Sequence, residues 1–306
     1  MLPPYFQKEI FVSGNIRGKF KSSFNIELRL SNPVENDSFL VHIGSLLRPL
    51  CSFGIAMEEG DMKDMLESCE EGSLVCLRQG KLRIYGREEQ FILNLGDKEN
   101  FRERDLQIPT LHKDLPVWKE SVIYDLLKRD VEDGSLENHM GISWDGDFLE
   151  HCMGMKEAET SWKEEIQFFC GRGKGLTPSG DDILLGYMAV LMAAGQEMGF
   201  TMSSFAAEYA ASKTTSVSLA YYRALSAGFV NEDFREFLLC LLPRGGKTAE
   251  KASDKKKYAE QIIRQIRSLG HTSGHDTLFG AFLALERLKN ARQTYVNAKI
   301  CRDDRT

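Results

Sequence analysis

The feature that most constrains this chain is a motif that occurs twice. Ser179-Gly180-Asp181-Asp182-Ile183-Leu184-Leu185-Gly186 returns 94 residues later as Ser273-Gly274-His275-Asp276-Thr277-Leu278-Phe279-Gly280, with Ser-Gly-x-Asp-x-Leu-x-Gly in common. A glycine-rich stretch from Gly171 to Pro178 leads into the first copy, and Gly270-His271-Thr272 leads into the second. Gly and Pro punctuate the turns, Ser and Asp can accept exposed amide hydrogens, and an apolar helical pattern follows, so each copy reads as a loop entering a helix. Within each helix the second-half Asp and the closing Gly stand four residues apart and share a face. A glycine inside a helix is about 1 kcal/mol less favourable than alanine, and close approach of another backbone would offset that. The expectation is two helices that cross at Gly186 and Gly280 and bring their leading loops to one pocket. The alternative is a pair of similarly capped helices with no shared site.

Bulk properties narrow the class. A chain of 306 residues, 42% hydrophobic and 27% charged, can build two domains and a well-buried core. Its net charge of −6 lacks the basic footprint of a nucleic-acid binder. Seven cysteines without a C-x-x-C pair or a zinc spacing point to reduced thiols. Met1-Leu2-Pro3-Pro4 has no signal-peptide character, and the longest apolar run, Ile183 to Ala194, falls short of the roughly 20 residues that span a bilayer. A cytoplasmic protein with neither a membrane nor a nucleic-acid partner is expected.

Periodicity divides the chain. From Phe20 to Leu30 apolar residues alternate with polar ones, as in a half-buried strand. Further strands are expected at Phe39–Ile43, Leu74–Arg78, Leu82–Tyr85 and Phe91–Leu95, with a hairpin through Gln79-Gly80-Lys81 and one helix near Asp61–Cys69. Past Pro109 and Pro116 the strand signal gives way to helical spacing over Trp118–Arg129, Lys156–Cys170, Ile183 to near Gly195, Ser203–Ser212, Thr215–Ala227, Asn231–Leu242, Thr248–Leu269 and Thr277 to about Ala291. Asp133-Gly134, Gly141 and Asp145-Gly146-Asp147 read as irregular loops, and the residues after Ala291 as a loose polar tail. The fold class is therefore α+β: a strand-rich barrel or sandwich over residues 1–112, then an all-helical domain over 113–306 that carries both signatures.

Several groups could carry chemistry. Glycines 171, 173, 175 and 180 with Arg172 and Lys174 could cradle a phosphate or carboxylate on backbone amides, although the spacing is not that of a Walker loop. Asp181, Asp182 and Asp276 at helix starts would repel an anion unless they face away, act as caps, or hold a hard cation such as Mg²⁺. His271 and His275 flank a turn, which disfavours a zinc pair; His275 suits a substrate contact, an acid/base role or a structural hydrogen bond. Thr214-Thr215-Ser216-Val217-Ser218 precedes another helix and either lines the same pocket or caps it.

With Gly173, the run Gly175-Leu176-Thr177-Pro178-Ser179-Gly180-Asp181-Asp182, Gly186, and Gly270 through Asp276 with Gly280, the sequence resembles a bacterial family of oxamate carbamoyltransferase subunits, formerly a domain of unknown function. The likeness covers about residues 165 to 290, the 214–218 cluster being a third, looser block. It implies a place in purine (allantoin) catabolism, where oxalurate plus phosphate and oxamate plus carbamoyl phosphate interconvert, and it implies other transferase subunits as partners. The hypothesis adopted from the residues and the resemblance together is that Lys174, Gly175, Thr177, Ser179, Gly180, Asp181, Thr215, Ser216, Thr272, Ser273 and Gly274 bind the small anionic substrate. Asp182, Asp276 and His275 would be catalytic, and Asp182 with Asp276 would hold Mg²⁺, the one candidate cofactor. The Ser-Thr-Arg-Thr phosphate motif of aspartate and ornithine carbamoyltransferases is absent. Two competing classes are a non-catalytic metabolite-binding or scaffold subunit and a Mg²⁺-dependent phosphate-ester hydrolase.

Overall fold

The computed structural model describes residues 12–30, 38–97, 99–110, 122–157, 161–241 and 252–303. The chain divides into two compact units, Met1–Leu106 and Gln107–Thr306.

The first unit is a strand-rich one built on a single curled half-barrel sheet. Its strands are β1 (Val12–Lys19), β2 (Ser23–Leu30), β3 (Ser38–Ser45), β4 (Gly54–Met57), β5 (Leu74–Arg78), β6 (Lys81–Tyr85) and β7 (Gln90–Asn94), in the order β4-β3-β2-β1-β5-β6-β7. Every neighbouring pair is antiparallel except β3 with β4. Alternation decides the buried face: Phe24, Ile26 and Leu28 of β2 join Val41, Ile43, Val75, Leu77, Leu82 and Ile84 in one core, closed by Met62 and Met65 of α1 (Glu59–Ser68). The β5–β6 turn has positive φ at both Gln79 (51°) and Gly80 (69°), the two-residue hairpin geometry whose twist suits the flanking strands. Alternation does not reveal two of the strands: β1, with only Val12 and Ile16 apolar and two glycines, and the four-residue β4.

The second unit is helical: α2 (Val122–Glu132), α3 (Gly146–Lys156), α4 (Trp162–Phe169), α5 (Ser179–Ala193), α6 (Glu197–Tyr209), α7 (Ser216–Ser226), α8 (Glu232–Cys240), α9 (Ala252–Arg267) and α10 (Ser273–Asp303). α5 is apolar nearly all round and all its residues but Leu185 are buried, so it forms the centre, packed by α4, α6, α7 and α10. Gln107 bridges to Phe229 and the Ile108 amide donates to Gly228 O at 2.9 Å, which ties the first residues of this unit to the end of α7.

Three local readings need correction. The helix expected over Lys156–Cys170 is α4, which begins only at Trp162; Lys156 is the last residue of α3. Asp145-Gly146-Asp147 is not a loop but the start of α3, because the Asp145 carboxylate caps it by accepting from Phe148 N at 2.9 Å. α10 continues to Asp303 rather than ending near Ala291, and neither Gly nor Pro interrupts the added turns. Residues 118–121, 158–160, 242 and 248–251 of the expected helices lie outside the described residues. Among the described residues no helix is long and apolar enough to cross a membrane.

Candidate functional site

The two signature helices cross where the glycines stand. A Cβ on Gly186 would overlap the carbonyl oxygen of Thr277 and lie 3.0 Å from its carbon; a Cβ on Gly280 would overlap the carbonyl oxygen of Ile183 and lie 2.7 Å from its carbon. Aligned by the motif, Gly186 corresponds to Gly280 and Ile183 to Thr277, so the contacts are reciprocal. Backbone meets backbone in a local pseudo-two-fold arrangement, which is what offsets the poor helix propensity of glycine here.

One turn toward the N-terminus from each glycine lies a buried carboxylate, Asp182 on α5 and Asp276 on α10. Burial pushes Asp182 well above the usual carboxylate range; Ser273 and Thr177 oppose that shift, and the nearby Asp276 and Asp181 reinforce it. Burial likewise raises Asp276 to about 6, against the hydroxyls of Ser179 and Thr272 and the amide of Gly141, which donates to Asp276 Oδ1 at 3.2 Å. The exchange is again reciprocal: the serine of each signature serves the aspartate of the other. Thr177 Oγ1 and Ser273 Oγ lie 2.7 Å apart. Ser179 is close enough to favour ionised Asp276, yet its Oγ and the Oδ2 of both aspartates have no hydrogen bond of ordinary geometry among the described residues. Neither carboxylate caps its own helix in any bond described. Gly180 and Gly274 are buried beside these groups at the two helix starts.

Asp181 does something different. Fully buried, it accepts from Gly171 N at 2.8 Å, from Tyr222 OH at 2.9 Å and from the Thr214 hydroxyl. It thereby pins the glycine loop to α7. Thr215 adds a second tie, capping α7 by accepting from Ser218 N at 3.1 Å while donating to Leu176 O. Ser216 is exposed on the first turn of α7. Between these ties the loop turns through positive φ at Gly171 (74°), Gly173 (119°) and Gly175 (100°), and residues 172–176 face solvent. Lys174 and Gly175 are on this exposed arc. Arg172 is engaged, with its guanidinium 3.7 Å from the Phe168 ring centre and Nε donating to Phe168 O at 3.1 Å.

His275 points elsewhere, stacking on His139 with ring centres 5.0 Å apart and planes at 18°. Burial first, then the charges of Arg267 and His139, lower its pKa to about 4. Two residues after His139, Gly141 presses on both signatures: a Cβ there would overlap Ser179 Oγ and sit 2.8 Å from Thr272 Oγ1. His139 and Gly141 are the site residues that the sequence did not announce. They lie in an irregular segment more than 100 residues from their partners in Thr272–Asp276, and no periodicity marks them.

Among the described residues no three His, Cys, Asp or Glu side chains gather as a metal site. The pair itself offers only oxygen, two unpartnered carboxylate atoms among the hydroxyls of Thr177, Ser179, Thr272 and Ser273, a donor set that fits a hard cation such as Mg²⁺ better than zinc. These residues all fall in one stretch of the chain. Residues 169–285 match the family model of oxamate carbamoyltransferase subunit AllH. The AllH match is the family that the two signatures resemble, and it takes in the end of α4, the glycine loop, the Thr214–Ser218 cluster and the crossing. His139 and Gly141 fall outside it. No solved structure matches the chain.

Proposed function

We propose that this chain acts in carbamoyl transfer between oxamate and phosphate, as one subunit of a multi-subunit enzyme of purine (allantoin) catabolism, with its site at the crossing of α5 and α10. The observation that carries the reading is the reciprocal pair of buried carboxylates, each with an unpartnered oxygen, set among hydroxyls beside an exposed glycine loop. The AllH match supports the family role.

In the direction of oxalurate formation, the oxamate nitrogen attacks the carbamoyl carbon of carbamoyl phosphate, a C–N bond forms, the C–O bond to phosphate breaks, and the nitrogen gives up a proton. Asp276, with a pKa near neutrality, is suited to take and return that proton. The loop amides from Gly173 to Thr177 and the Lys174 ammonium supply donors for the phosphate and for charge developing on the carbamoyl oxygen. Asp181, Thr214 and Thr215 hold that loop in place rather than touch substrate. Were Mg²⁺ held by Asp182 and Asp276, it would supply neutralisation of phosphate charge.

One observation favours a non-catalytic metabolite-binding subunit instead: Asp276 has no exposed surface, so it meets a substrate only if groups packed on it, such as Ser179, Thr272 or Gly141, move. Melting the purified chain with and without carbamoyl phosphate, phosphate, oxamate and Mg²⁺ tests for a site. A ligand at about 100 times its dissociation constant adds roughly 2.7 kcal/mol. Stabilisation by carbamoyl phosphate that Asp182→Asn and Asp276→Asn abolish, together with transfer by the co-expressed subunits that fails in the same variants, is the expected result. Ligand binding with undiminished transfer in both variants would favour the non-catalytic reading.

A further inference from the structure

We propose that His139, His275 and Arg267 form a second oxyanion subsite beside the signature pair, one that takes a carboxylate or phosphate group of a small substrate. The inference rests on the chain binding small anions and is independent of whether it catalyses transfer.

Three elements deliver three groups that carry or can carry positive charge: the turn after α2 brings His139, the last turn of α9 brings Arg267, and the first turn of α10 brings His275. One counter-charge is in direct contact, Asp130 of α2, which pairs with an Arg267 terminal nitrogen; Arg129 and Asp133 flank Asp130. Arg267 Nε and His275 Nδ1 are buried and have no hydrogen-bond partner among the described residues. His139 Nδ1 is already engaged, donating to Ser135 O at 3.0 Å. A buried N–H left without an acceptor is costly, and an oxyanion would accept from Arg267 Nε and, in the tautomer that carries its proton on Nδ1, from His275.

Competing ligands fit worse. Two imidazoles stacked face to face do not aim their nitrogens at one point, as zinc ligation requires, and the guanidinium beside them repels a cation. Burial is the main cause of the depressed pKa of His275; the charges of Arg267 and His139 add to it, and an anion would offset only that second part. Gly141 joins this cluster to Ser179, Thr272 and Asp276, so an anion held here lies next to the carboxylate pair.

Histidine ring resonances of the full-length chain, assigned with His139→Gln and His275→Gln, give the test. Inorganic phosphate and oxamate are titrated in separate arms, which distinguishes a phosphate from a carboxylate occupant. Saturable shifts of both histidines and about tenfold weaker binding in either variant are expected. Rings that ignore both anions overturn the subsite. If the glycine-loop amides respond while the rings do not, the subsite fails and the reading of the signature pair stands. If the rings respond but the assembled subunits transfer no carbamoyl group, the subsite stands and that reading fails. Melting curves for both variants confirm that each is folded.

Discussion

Asp276 keeps its proton to about pH 6 in the folded chain, whereas an unfolded aspartate loses it near 3.9. Between those values the native state binds more protons than the unfolded one, so the contribution of this group to stability is full below about pH 4 and is lost as pH rises through about 6. A shift of about two units corresponds to about 3 kcal/mol. Melts across that window should show wild type losing stability that Asp276→Asn retains; parallel curves would mean that the carboxylate is not held protonated. Asp181 predicts the opposite kind of change. Its three donors make it a latch, and Thr214→Val removes one of them at a cost of about 1–2 kcal/mol. Hydrogen exchange at residues 171–177 should quicken in that variant, and unchanged exchange there would remove Asp181 from the role of holding the loop. At this scale the sequence singled out Asp181, Asp182 and Asp276 but not what each touches in the fold. Asp181 and Asp182 are adjacent and chemically identical, and only the direction in which helix α5 turns them makes one a latch and the other half of a buried pair.

The crossing of α5 and α10 was legible because it repeats: a glycine four residues after an aspartate, twice, is hard to explain by propensity. It yields a sharp prediction. Gly186→Ala and Gly280→Ala should each destabilise by about 1–3 kcal/mol or more through overpacking against backbone that cannot give way, despite about 1 kcal/mol of gained helix propensity. Gly60→Ala on α1, where a Cβ meets nothing within 4 Å, serves as the control and should stabilise slightly. Equal behaviour of all three would dissolve the crossing. Other elements were less legible for identifiable reasons. The glycines at 146 and 154 dilute the helical pattern of α3, and the cap at Asp145 is chemically the same signal as a turn. The segment from His139 to Gly141 is held by contacts with residues far along the chain, Asp276 among them, which local patterns do not encode.

For the whole molecule, the change of period from two to 3.6 told the order of the strand-rich and helical parts. The buried residues form two clusters, one in each unit. A fragment of residues 107–306 should therefore melt cooperatively by circular dichroism. One beginning at residue 113, the boundary that composition suggests, should be less stable by about 1–2 kcal/mol because it lacks the bonds of Gln107 and Ile108 to the end of α7. Equal melting temperatures would show those bonds to be dispensable. The length of α10 carries one more consequence. Asp276 lies four residues before Gly280, about 6 Å, while Asp303 lies 23 residues beyond it, about 35 Å. Treated as a straight rod on a fulcrum at the glycine, the helix is a reducing lever: a swing of about 6 Å at its far end becomes about 1 Å at the carboxylate. On the role proposed for Asp276, misplacement of that size changes a rate about a hundredfold, so whatever grips the distal end of α10 would tune that role finely without touching the carboxylate.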